Sequence, residues 1–356
     1  KSTQSTPTQG IQAAHLDINA DQLDNQSGGV YVGKSANLAI KHTLNNQQGE
    51  MLSAGRLDVV NPELSLEVDN TLGQIESVIG TSLQAKTLVN EGTINTKGDL
   101  DIALKDNFTL NQAFGVGNHL TFSTKGDFVN NANLVVGNRA SIEGTTIQNN
   151  ANAEITSTDT HIQAKKLDNL GLIDGETTVI KAEDINNVGN ARIYGRHLAI
   201  QANNLNNLED NKGNAATIAA RERLDLGVGN LVNRNHALIL SLGNLYIGGK
   251  LDEKNQATGQ SQKIENASAT IEVLGDAWMN TARFLNTDLH LQLGHNYTKN
   301  HFVTYSPLDS SATYYSYEGE KGEGYLDLVN NSRHDSNQYF RFNDGREAVA
   351  ARNWLV

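Results

Sequence analysis

The sequence predicts an all-β chain: a right-handed parallel β-helix of about 20 residues per coil, with a C-terminal antiparallel β extension. Three observations carry this. A Leu-x-Asn pattern returns about every 20 residues, short runs alternate apolar and polar residues, and 32 glycines against three prolines suit many strands joined by tight turns. A repeat of this length marks a solenoid, in which each unit buries its apolar face against its neighbours. Hydrophobic residues make up 38% and charged residues 19%, too apolar and too weakly charged for a disordered chain.

The pattern is clearest from Leu44 to Val59: Leu-x-Asn, a polar turn, an apolar pair, a glycine, then Leu-x-Val. It places asparagine at Asn25, Asn46, Asn70, Asn90, Asn130, Asn149, Asn169, Asn187, Asn207, Asn233, Asn266 and Asn286, with Asn111 one place out of register. Two long gaps, Asn207 to Asn233 and Asn233 to Asn266, read as insertions. Runs such as Leu57-Asp58-Val59, Leu64-Ser65-Leu66-Glu67-Val68, Leu100-Asp101-Ile102 and Leu224-Asp225-Leu226 alternate with period two, the mark of a half-buried strand. Coils stacked at the strand separation of about 4.8 Å would make about 13 coils a rod of roughly 60 Å.

In such a stack asparagine has two expected uses. It tolerates the left-handed backbone of a corner, and its amide can bond to its copies one coil above and below, as a structural Asn ladder. Gly28, Gly49, Gly73, Gly92, Gly171 and Gly189, which follow the asparagines, are expected to serve the turns. Asp58, Asp101, Asp174 and Asp225 are expected on the outer surface. The polar stretch 248–263 is extra to the repeat and reads as a loop leaving the rod, with a smaller bulge at 209–214.

The expected domains are 1–15, frayed or a coil remnant; 16–296, the β-helix; and 297–356, a Tyr-rich β extension. Seven of the ten tyrosines lie between 297 and 339, and the Leu-x-Asn pattern stops there. Tyrosine suits binding surfaces, where a flat ring and a hydroxyl serve together. Tyr305, Tyr314, Tyr315, Tyr317, Tyr325 and Tyr339 are therefore candidate receptor contacts, packing of the terminal strands being the other use. Asn343-Asp344-Gly345 is a hairpin signal.

The net charge of −12 argues against nucleic acid, which needs clustered Lys and Arg. With no cysteine, disulfides and thiolate chemistry are excluded. That suits a chain passed unfolded through an oxidising compartment, and equally a cytosolic one. No apolar run is long enough for a membrane-spanning helix, and the polar N-terminus begins mid-pattern. His290, His295 and His301 do not form a zinc pattern, and Glu318, Glu320 and Glu323 do not form a calcium loop. No catalytic or metal residue and no cofactor is expected.

The repeats resemble the haemagglutinin repeats of filamentous haemagglutinin and CdiA-type exoproteins. Ala216-Thr217-Ile218-Ala219-Ala220-Arg221-Glu222-Arg223-Leu224-Asp225-Leu226-Gly227 before Leu231-Val232-Asn233, and Ile247-Gly248-Gly249-Lys250-Leu251-Asp252 with Ala257-Thr258-Gly259, are specific forms of that repeat. The resemblance covers about 16–296. It implies two-partner secretion by a Gram-negative bacterium through an outer-membrane transporter and display at the cell surface. The family's members adhere to cells or deliver a toxin on contact, and the segment after the shaft meets a target-cell receptor, protein or glycan. The family's secretion domain and any toxin module are absent, so the chain reads as an interior piece of a longer protein. The alternative is a β-helical protein that binds or degrades polysaccharide.

Overall fold

The computed structural model describes residues 10–290 and two strands, Gln338–Arg341 and Glu347–Ala350. No helix occurs among the described residues, and the strands up to Thr287, apart from one short antiparallel hairpin, stack in parallel as a solenoid of about 14 turns. From Asp288 onward a second unit begins, within which Gln338–Arg341 pairs antiparallel with Glu347–Ala350. The first strand is Ile11–Asp24, so residues 11–15 are already part of a coil.

Each coil contributes to three faces. One coil shows the plan: Glu50–Ser53 on the first face, Arg56–Val60 on the second and Glu67–Asp69 on the third. Alternation decides what goes in. On the second face Leu38, Val59, Leu83, Ile102, Phe122, Ile142, Ile162, Ile180, Ile200, Leu226 and Ile247 stack in one inward column, all buried. A fully buried Leu or Ile contributes about 1.5–3 kcal/mol, so each coil depends on a handful of such side chains. The run Leu64 to Val68 departs from its alternation. Leu64 has a φ of 50°, its N–H bonds to the Asn61 carbonyl, and the strand starts only at Glu67.

The stretch after Ile247 does not leave the rod. Lys250–Leu251 and Ala257–Thr258 form an antiparallel hairpin that folds back over the second face of preceding coils. Leu251 is buried against Val179 and Ala199. These are outward positions, as is Asp225 in the next coil. The Leu251 N–H donates to Gln201 Oε1 at 3.1 Å and the Ala257 N–H to Asp225 Oδ1 at 2.9 Å. A Cβ at Gly227 would lie 2.3 Å from the Lys250 carbonyl carbon, so glycine is what lets the hairpin backbone approach. Asp225, expected on the surface, is 4% exposed under this cover, held by Arg223 at 2.5 and 2.9 Å.

Leu251→Ser should release the hairpin while the coils persist. Trypsin should then cleave at Lys250 and Lys254 faster than in the parent, and the melt should drop by about 1.5–3 kcal/mol, the share of one buried leucine. Unchanged cleavage would mean that Leu251 does not hold the hairpin down.

Candidate functional site

The end of the third face carries the repeated asparagines. Their side-chain amides bond coil to coil. Asn25 Nδ2 donates to Asn46 Oδ1, Asn46 to Asn70 and Asn70 to Asn90, each at 2.7 Å. A second run joins Asn130, Asn149, Asn169, Asn187, Asn207, Asn233, Asn266 and Asn286 at 2.8–2.9 Å. Asn286 is exposed and the other eleven are buried. The same Nδ2 groups also donate to main-chain carbonyls of the next coil, for example Asn149 to Leu172 O and Asn187 to Thr217 O, both at 3.1 Å. Those carbonyls fix which end of each amide points forward.

The structure does not join Asn90 to Asn130. Leu110 occupies the intervening place, in register with Asn130, and is buried. Asn111 points outward and accepts from Asn131. The rings of Phe108, Phe114, Phe122 and Phe128 gather beside Leu110, with centroids 4.8–6.2 Å apart in four pairs.

The backbone role expected of these asparagines falls elsewhere. Their φ values are not positive. The left-handed residues come two places later, at Ser27, Gln48, Leu72, Asn235 and Ser268, and at Gly189. Of the six glycines expected to serve the turns, only Gly189 has positive φ. Gly49 and Gly73 are required for closeness: a Cβ would lie 2.2 Å from Asn25 O and 2.1 Å from Asn46 O respectively.

Outer rows of amides were not read from the sequence. Asn118 donates to Asp99 and Asn138 to Asn118; Asn186 donates to Asp168 and Asn206 to Asn186; Asn204 donates to Asp184 and Asn230 to Asn204. Each of these three rows starts at an aspartate, which can only accept when ionised, whereas the row of Asn111, Asn131 and Asn150 starts at an asparagine. The signal was present as Asn or Asp recurring beside the apolar strand positions.

Three other surface features stand out. A trough of about 1230 Å³ follows the corner between first and second faces, lined among others by Tyr31, Ala54, Glu76, Asn95, Lys97 and Gly117. At the same corner farther along, Arg196 bridges Glu176 and Glu222 at 3.0 and 3.1 Å. Asp174 is half-buried there, and its Oδ1 accepts from the Gly175 N–H at 2.8 Å. On the second face Arg223 lies 3.9 Å over the ring of Tyr246, which stacks on half-exposed Trp278 at 4.7 Å.

Tyr305, Tyr314, Tyr315, Tyr317 and Tyr325 lie outside the described residues, and Tyr339 lies in the strand Gln338–Arg341. His295, His301 and the acidic run from Glu318 are outside them too. Among the described residues no cluster of His, Asp and Glu could hold a metal ion, and no helix is long and apolar enough to cross a membrane.

No family model matches the chain, and no solved structure matches it. A stretch of 121 residues is 35% identical to the tRNA nuclease CdiA-2 of Burkholderia pseudomallei (strain 1026b). Together with the solenoid, this fits a shaft of the CdiA and filamentous haemagglutinin type. The match covers 33% of this chain and 4% of that protein, so the chain spans a small part of the relative's length.

Two changes test what holds the shaft. Asn187→Leu removes one acceptor of Asn169 Nδ2, which keeps the Gly171 and Arg192 carbonyls, and the donor to Asn207 Oδ1, and an unsatisfied buried polar group costs about 1–3 kcal/mol. Denaturant melts should show that loss. Asp174→Ser gives up the bond from Gly175 and a long, partly exposed ion pair with Arg221 at 3.9 Å, and should lose about 0.5–1.5 kcal/mol. Equal melts for Asn187→Leu and the parent would mean that the amide row adds nothing to stability.

Glu265 tests the acid limb. Lys263 and then Arg234 hold its buried carboxylate below the ordinary glutamate value of 4.5. A depressed folded value gives stability that is present above pH 4.5 and lost as pH falls through the folded value. Melts followed from neutral to acid pH should fall less steeply for Glu265→Gln than for the parent.

Proposed function

We propose that this chain is a non-catalytic shaft segment of a large secreted, cell-surface exoprotein used for adhesion or contact-dependent toxin delivery, and that residues 297–356 open a receptor-contacting region. The observation that carries this reading is the parallel solenoid together with the partial likeness to CdiA-2. A rod built from one repeated coil suits the task of holding a binding or toxic end away from a surface. The likeness spans 4% of that nuclease, too little to carry its activity over to this chain.

On this reading the parent protein leaves a Gram-negative cell through an outer-membrane two-partner transporter and is displayed at its surface. The tail after the solenoid meets a protein or glycan receptor on a target cell, with the tyrosines from Tyr305 to Tyr339 as its contact residues.

Cell-binding assays with residues 1–356 and 1–296 test the tail. The longer chain should bind target cells and the shorter one should not. Equal binding would remove the case for a receptor contact after 297. Incubation with neutral and acidic glycans tests the non-catalytic reading: no new reducing ends or unsaturated sugars should form. Turnover that one carboxylate change abolishes would overturn it.

A further inference from the structure

The third face is not continuous. Between most neighbouring coils its strands pair and its asparagines bond. Glu67–Asp69 pairs with Thr87–Val89, and Phe108–Leu110 with Phe128–Asn130. Between Thr87–Val89 and Phe108–Leu110 there is no such pairing. The Asn46 N–H donates to Asp69 O at 2.7 Å and the Asn70 N–H to Val89 O at 2.8 Å, but among the described residues the Asn90 N–H has no counterpart acceptor in the next coil. Asn90 Nδ2 is buried and lacks a hydrogen-bond partner. Leu110, in the asparagine place, can offer it none. The backbone ladder and the side-chain ladder are thus interrupted at the same interface.

The other faces hold there unequally. On the second face Gly80–Ala85 pairs with Asp99–Leu104 over six residues. On the first face only Asn95 and Thr96 pair, with Gly115 and Val116. The phenylalanine cluster does not close the gap, because all four rings belong to residues 108–128, on the C-terminal side of it. They bind the coil of Leu110 to the coil of Asn130.

The stability of a solenoid is approximately a sum of coil terms and nearest-neighbour interface terms. An interface that lacks one face of backbone bonds and one amide link is a weak term between strong ones. We infer that the shaft is hinged here. The third face opens between Asn90 and Leu110 while the six-residue pairing on the second face serves as the hinge line, so the rod bends or divides into two cooperative segments at this place.

Hydrogen exchange on the full chain reads this directly. The Asn90 amide should exchange at least tenfold faster than the bonded amides of Asn46 and Asn70, and the coils on either side should lose protection at different denaturant concentrations. Nitroxides on the paired replacements Val89→Cys and Thr109→Cys, outward positions in a chain free of cysteine, should report a broader range of separations than Val129→Cys with Gln148→Cys across a closed interface. Uniform protection along the third face, or equally narrow separations in the two label pairs, would overturn the hinge.

Discussion

The constraint on which everything else rests is that each side chain has near-copies of itself about 4.8 Å above and below. Inside the coil the recurring residue types are those that can stack on their own kind. Aliphatic side chains do so inside the coil by dispersion and exclusion of water. Buried charge cannot. Asparagine meets the constraint because one amide carries both a donor and an acceptor, so a column of them can bond throughout. This is why eleven of the twelve repeated asparagines can be buried. Each is satisfied by the coil beyond it, apart from Asn90.

The direction of the bonds follows from which partners are fixed. In the inner rows the main-chain carbonyls of the next coil claim the Nδ2 groups, so each amide donates towards the C-terminal end. In three outer rows the first member is Asp99, Asp168 or Asp184, and the next residue must donate back to it. The two sets run in opposite senses. An aspartate can start an outer row because it needs no donor and sits near solvent; stacked copies of it would repel.

Much of this was legible in the sequence, because a solenoid writes its interface into a period. The Leu-x-Asn spacing identified the coils, the parallel stacking and the residues that meet between coils. What it could not give were the places where one position departs from the period for the sake of a distant one. Leu110 reads as a harmless shift beside Asn111, yet it occupies the amide's place. The left-handed residues after the asparagines escaped notice because Ser27, Gln48 and Leu72 carry no common composition. The polar stretch from Gly248 looked like a loop free of the rod because its one apolar anchor, Leu251, is short of any pattern.

Those departures nevertheless have a physical signature. An outward strand position is ordinarily polar, so Val179 and Ala199 in consecutive coils, followed by Asp225 and flanked by Gly227, amount to an apolar strip with room for a backbone above it. The hairpin supplies that backbone, and Leu251 fills the strip. The four phenylalanines near Leu110 are the inward equivalent: where the amide column stops, bulkier apolar groups occupy the interior, and offset or tilted ring pairs add about 0.5–1.5 kcal/mol beyond their burial. Their placement on one side of the gap strengthens one interface and leaves the other without compensation. In a structure whose neighbours are otherwise nearly equivalent, such an asymmetry decides where opening begins.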